Sequence, residues 1–137
     1  MKDMTATNGP AMALAQATIL IVDDVPDNLA VLGELLRQSG YQVKVANSGR
    51  AALRFAAQLP RPDLILLDVM MPEMDGYETM QAIRNMPQFA SLPMIALTAK
   101  AMKGDREKCI EAGASDYITK PVDTEQLLSL LRVWLYR

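Results

Sequence analysis

The chain has 137 residues, half of them hydrophobic, and a net charge of −2. That is enough for one domain with a real core, too apolar for a disordered chain, and without the basic face that nucleic acid needs. A single cysteine, Cys109, excludes an internal disulfide and suits a reducing compartment such as the cytoplasm, and the absence of histidine removes the usual general base and the commonest metal ligand.

Residues 1–17 lack strong periodicity and also lack the basic start and long apolar core of a signal peptide, so they read as a flexible linker or tail. No apolar run anywhere approaches the ~18 residues of a membrane helix. The folded domain is expected over 18–137. Thr18–Val22 is a β-branched, aliphatic run that predicts a central strand, closed by Asp23 and Asp24. Pro26 and Asp27 open a helix in which Leu29, Leu32, Leu35 and Leu36 recur at helical spacing until Ser39 and Gly40. Tyr41–Val45 alternates like a strand near a sheet edge. Ser48 caps a second helix, with Ala52, Leu53, Phe55, Ala56 and Leu59 facing inward, which Pro60 and Pro62 terminate.

Leu64-Ile-Leu-Leu67 has the continuous aliphatic character of a strand buried on both faces, and it delivers one carboxylate, Asp68, before a loop marked by Pro72 and Asp75-Gly76. A third helix runs from there through Tyr77, Met80, Ile83 and Arg84 to near Pro87. Pro93–Leu97 predicts the fourth strand, followed by Thr98, and Ala101–Ala112 a fourth helix stopped by Gly113. Ser115–Ile118 reads as a short fifth strand, followed by Thr119-Lys120-Pro121. Asp123 or Thr124 caps the last helix, whose apolar face is expected to be Leu127, Leu128, Leu131, Val133 and Trp134.

Strands alternating with helices predict an α/β domain: a flavodoxin-like (βα)5, doubly wound, parallel five-stranded sheet of order 2-1-3-4-5. In such a sheet the chemistry lies beyond the carboxyl ends of the strands. Asp23, Asp24, Asp68, Thr98 and Lys120 would then ring one crevice. Clustered carboxylates repel one another, which raises pKa values or demands a cation, and an all-oxygen donor set suits Mg²⁺. Lys120 suits a phosphate as a point-charge partner, and Thr98 offers a hydroxyl. Together they meet what phosphoryl transfer to an aspartate requires: positioning and charge neutralisation, with no need of a histidine base. The bland reading remains for each. Asp23 or Asp24 could cap the next helix, Lys120 could be a solvated strand-end lysine, and Tyr117 a half-buried strand aromatic.

Val22-Asp23-Asp24, Leu67-Asp68 through Asp75-Gly76, Ala96-Leu97-Thr98-Ala99-Lys100 and Tyr117-Ile-Thr-Lys120-Pro121 resemble, in order, the motifs of the receiver domain of two-component response regulators. The resemblance covers roughly residues 18 to 135. It implies that Asp68 is the phosphoacceptor and that Asp23, Asp24, Asp68 and the backbone carbonyl of Met70 hold Mg²⁺. It also implies that Thr98 and Lys120 bind phosphoryl oxygens and that Tyr117 is an aromatic switch residue. A cis peptide before Pro121 is expected to swing the lysine back over the site. The implied partners are a histidine kinase or a histidine phosphotransfer protein and a downstream protein target. Kinase domains of the same polypeptide, or a second copy through the fourth helix, fifth strand and fifth helix, are further options.

Such a domain is a signalling switch that catalyses its own phosphorylation and dephosphorylation, rather than an enzyme acting on others. With little chain after the last helix, either a stand-alone regulator or the C-terminal receiver of a hybrid histidine kinase is expected. A haloacid dehalogenase-type phosphatase would want a second acid where Met70 stands. A flavin site would want a Ser/Thr/Gly-rich loop where Asp23-Asp24 stands. A degenerate receiver serving only as an interaction module would lack one of the key residues.

Overall fold

The computed structural model describes residues 17–71, 75–98 and 105–136, and the expected linker over 1–17 lies almost wholly outside them. Five strands, β1 (Thr18–Val22), β2 (Gln42–Ala46), β3 (Leu64–Asp68), β4 (Met94–Thr98) and β5 (Asp116–Thr119), form one sheet in the order β2-β1-β3-β4-β5. Every neighbouring pair is parallel. The helices are α1 (Pro26–Gln38), α2 (Gly49–Ala57), α3 (Gly76–Arg84), α4 (Asp105–Ala112) and α5 (Thr124–Leu135). This is the flavodoxin-like order that the alternation of strands and helices predicts.

The middle strands are aliphatic along most of their length because both of their faces are covered, with Thr18, Asp68 and Thr98 at their ends. Ile19, Ile21, Leu64, Leu66, Ile95, Leu97 and Ile118 pack against Leu32 and Leu36 of α1 and Leu127 and Leu131 of α5. The alternate residues Leu20, Val22, Ile65, Leu67, Met94 and Ala96 pack on α2, α3 and α4, through Ala52, Ala56, Met80, Ile83 and Cys109. The period-two alternation of side chains thus distributes one run of aliphatics between two cores. β2, on the edge, has only Ala46 fully buried.

Local sequence explains the helix ends. The Ser48 hydroxyl accepts from Ala51 N at 3.1 Å and caps α2. Asp75 and Glu78 form a reciprocal capping box at α3, and Asp123 rather than Thr124 caps α5 by accepting from Gln126 N. Two expected core residues are outside it. Leu59 is 83% exposed, because α2 ends at Ala57 and the backbone at Gln58 is already extended, so Leu59 no longer lies on the helix face. Val133 is 55% exposed. Leu127, Leu131 and Trp134 follow the i, i+4, i+7 stripe, and Val133, about 200° around the helix from Leu131, cannot share it. A short 3-10 turn, Pro87–Phe89, follows α3 and buries Phe89. The predicted start of α4 at Ala101 lies outside the described residues.

Candidate functional site

The sheet brings the predicted groups to one end. Asp23 directly follows β1, its amide still donating to Ala46 O, and its side chain is wholly buried. Its Oδ1 accepts from Val25 N at 2.9 Å, turning the chain toward α1; Val25, not either aspartate, is the N-cap residue, and its side chain makes no cap bond. Asn28, in the first turn of α1, donates from Nδ2 to Asp23 Oδ2 at 3.1 Å. Asp68 is the last residue of β3, 2% exposed, and its Oδ1 accepts from Met70 N at 3.0 Å. Thr98, also 2% exposed, ends β4. The amide of Lys120 donates to the Thr98 carbonyl at 2.6 Å, tying the segment after β5 to the tip of β4.

That bond sets Lys120 over the carboxylates. Its Nζ lies 3.4 Å from Asp23 Oδ2 and 3.3 Å from Asp68 Oδ2, and the Lys120–Pro121 peptide is cis. Asp24, half-buried, completes the group: Asp23, Asp24 and Asp68 each offer an oxygen, all within 4.8 Å of one another. Burial pushes the Asp68 carboxyl above its usual range; the Met70 amide bond opposes this, the Asp23 charge adds to it, and Lys120 again opposes. One lysine against three carboxylates leaves an excess of negative charge in a poorly hydrated crevice. Hard oxygen donors with no nitrogen or sulfur among them fit a small divalent cation such as Mg²⁺.

The remaining predicted residues stand near this centre. The Met70 side chain is 67% exposed at its mouth. Tyr117 is on β5 opposite Ala96, half-buried against the core shared by α2, α3 and α4. Two contributors were not apparent from sequence alone. Asn28 carried no signal beyond its place five residues after Asp23. Gly76 packs so closely that a Cβ would fall 2.5 Å from the Asp68 carbonyl oxygen and directly against Val69 Cα. The Asp-Gly pair at the start of α3 therefore marks contact with the chain bearing Asp68, as well as a helix start.

A family model described as the response regulator receiver domain matches residues 19–132. The chain belongs to this family. Among its relatives, this receiver is 46% identical over 122 residues to a probable cyclic di-GMP phosphodiesterase of Vibrio cholerae, covering 89% of this chain and 27% of that protein. It is 44% identical over 114 residues to the signal transduction histidine-protein kinase BarA of Escherichia coli, covering 83% of this chain and 12% of that one. The receiver thus spans about a quarter or less of these two relatives. Among solved structures, it resembles the receiver domain of the sensor histidine kinase PA1611 from Pseudomonas aeruginosa. That structure has a magnesium ion coordinated in its active-site cleft; the TM-score is 0.81 at 39% identity, over 89% of this chain and 99% of that one. A response regulator from Chloroflexus aurantiacus, described as putative, gives a TM-score of 0.84 at 35% identity, over 89% and 99% of the two chains. The receiver is a signalling phosphoacceptor domain by family, and no helix among its described residues is long and apolar enough to cross a membrane.

Proposed function

We propose that this receiver accepts a phosphoryl group onto Asp68 from the phosphohistidine of a histidine kinase or phosphotransfer protein, in a Mg²⁺-dependent reaction. The observation that carries this is the position of the Asp68 carboxylate. It lies at the tip of a fully buried central strand, 3.3 Å from Lys120 and within the three-carboxylate cluster. An Asp68 oxygen attacks phosphorus, the P–N bond breaks, and the imidazole, protonated on its other ring nitrogen, leaves as a neutral ring with the bonding electron pair. Asp68 attacks as the carboxylate, so no base is needed. Lys120 follows the transferred group as its charge partner, and the Thr98 hydroxyl donates to a second phosphoryl oxygen. Asp23, Asp24, Asp68 and the Met70 carbonyl would hold the cation, which would neutralise phosphoryl oxygens. Water attack on the acyl phosphate then returns Asp68 to its free form.

The switch is read as a movement of Thr98 toward the phosphoryl group that lets Tyr117 turn inward, altering the face of α4, β5 and α5 presented to a protein target, to kinase domains of the same polypeptide or to a second copy. The buried lone Cys109 accords with the cytoplasm as its place of action. Incubation with a small phosphodonor and Mg²⁺ is expected to add one phosphate, and Asp68→Asn or EDTA to abolish it. Wild-type labelling of Asp68→Asn would refute the assignment.

A further inference from the structure

Asp23 reaches the metal-binding cluster already held from two directions: the Val25 amide fixes Oδ1 at 2.9 Å and the Asn28 side-chain amide fixes Oδ2 at 3.1 Å. We propose that Asn28 is a positioning residue for the cation, one that keeps Asp23 aimed at the cluster and leaves Lys120 available to Asp68; this rests on the function proposed above. Asp23 Oδ2 has two side-chain donors, Asn28 Nδ2 and Lys120 Nζ, and the lysine is the more distant at 3.4 Å. The same Nζ is 3.3 Å from Asp68 Oδ2, so Lys120 is shared between the two acids.

Without the amide, the buried Asp23 oxygen would have the lysine as its side-chain donor, and a buried carboxylate draws in whatever donor remains. Lys120 would then be pulled from Asp68, and Asp23 would be oriented by the Val25 amide and the lysine alone. A neutral amide suits the task better than another cation would. It orients the carboxylate without cancelling the negative charge that attracts Mg²⁺. An aspartate at 28 would repel Asp23, and an aliphatic residue would leave Oδ2 one donor short. Asn28 also shares with Asp23 and Lys120 the wall of a cavity of about 350 Å³ between α1 and the segment after β5, and its amide turns toward Asp23 within it.

Partners that orient metal ligands typically contribute 10- to 100-fold in affinity. Asn28→Leu and Asn28→Ala are accordingly expected to weaken Mg²⁺ binding at least about tenfold by titration calorimetry, read on the phosphate-free protein. Labelling by acetyl phosphate should slow at the Mg²⁺ concentration that saturates wild type and recover as Mg²⁺ is raised. Glu34→Ala, exposed on the same helix, serves as the control for general effects on α1 and should keep wild-type affinity. A merely structural role would lower the thermal midpoint and the rate at every Mg²⁺ concentration without moving the dissociation constant. Wild-type Mg²⁺ affinity in both Asn28 variants would overturn the inference while leaving the phosphoacceptor reading intact. Failure of the wild-type receiver itself to bind Mg²⁺ and take phosphate would overturn both.

Discussion

Asp68 is almost fully buried, and its charge is destabilising for that reason. Its folded-state pKa is raised, chiefly by burial and further by Asp23, so between the unfolded and folded pKa values the folded chain holds a proton that the unfolded chain has already released. Such a group favours the folded state fully below the unfolded carboxylate pKa, ~4, and that contribution is lost as pH rises through the folded value. Asp68→Asn keeps an oxygen for the Met70 amide and removes the charge. In EDTA at neutral pH it should therefore unfold at higher urea than wild type, with the gap closing as pH falls below ~4. A pH-independent gap, or a less stable variant, would contradict this account. The glycines give a paired expectation of opposite sign. Gly76→Ala forces a methyl into the Asp68–Val69 backbone and should cost about 1–3 kcal/mol, as overpacking does, and slow phosphorylation. Gly33→Ala meets only the movable guanidinium of Arg37, at 3.2 Å, and should be neutral or stabilising by up to about 1 kcal/mol. Chemical denaturation of both variants checks the contrast.

At the scale of elements, two cations do what no hydrophobic pattern announces. Lys44 of β2 donates to the carbonyls of Phe55, Gln58 and Pro60, at 2.7, 3.1 and 3.1 Å, closing the C-terminal end of α2. Arg84, the last residue of α3, donates to Gly113 O at 3.0 Å, Phe89 O at 2.8 Å and Ser115 Oγ at 3.4 Å. Ser115 in turn accepts from Met94 N at 3.1 Å, so this guanidinium joins α3 to the entrances of β4 and β5. Arg84→Ala should cost about 2–3 kcal/mol, the scale of hydrogen bonds to a charged donor, and speed amide exchange at Met94 more than in β1. Uniform exchange across the sheet would argue against a local clamp. These contacts also mark the limit of legibility. Buried strands, helix stripes and caps such as Ser48 and Asp75 are local in sequence, and could be read there. Arg84 meets Ser115 thirty-one positions away, and Asn28 meets Asp23 through a turn whose shape only the fold defines. Leu59 and Val133 depart from expectation because a helix that stops early, or an aliphatic off the stripe, looks the same in a string of letters. Asp23, Asp68, Thr98 and Lys120 stand at or just beyond the carboxyl ends of strands, a placement that the strand pattern in the sequence predicts.

Across the whole molecule, the sheet separates two cores, and the proposed switch would run through one of them. Thr98 and Tyr117 lie on β4 and β5, where the α4 side of the core adjoins the site. With beryllofluoride and Mg²⁺ as a phosphoryl mimic, the Tyr117 ring and the amides of residues 105–112 should shift in NMR spectra while those of α2 move little. A loaded protein with an undisturbed Tyr117 would remove the coupling and leave the chemistry standing. The parallel order has a last consequence, which concerns synthesis. The strand made first, β1, lies inside the sheet, and both of its neighbours emerge later; the pairing with β3 waits until residue 64. Lys120 comes last of all the site residues, more than fifty positions after Asp68. On the ribosome, or in a fragment cut before β5, the aspartates can already be gathered by β1 and β3, but the side chain that would offset their repulsion does not yet exist. The finished centre is therefore also a record that translation has passed through the fifth strand, and prematurely terminated chains would lack both Ile118, Leu127 and Leu131 in their core and the cation that sits against Asp23 and Asp68.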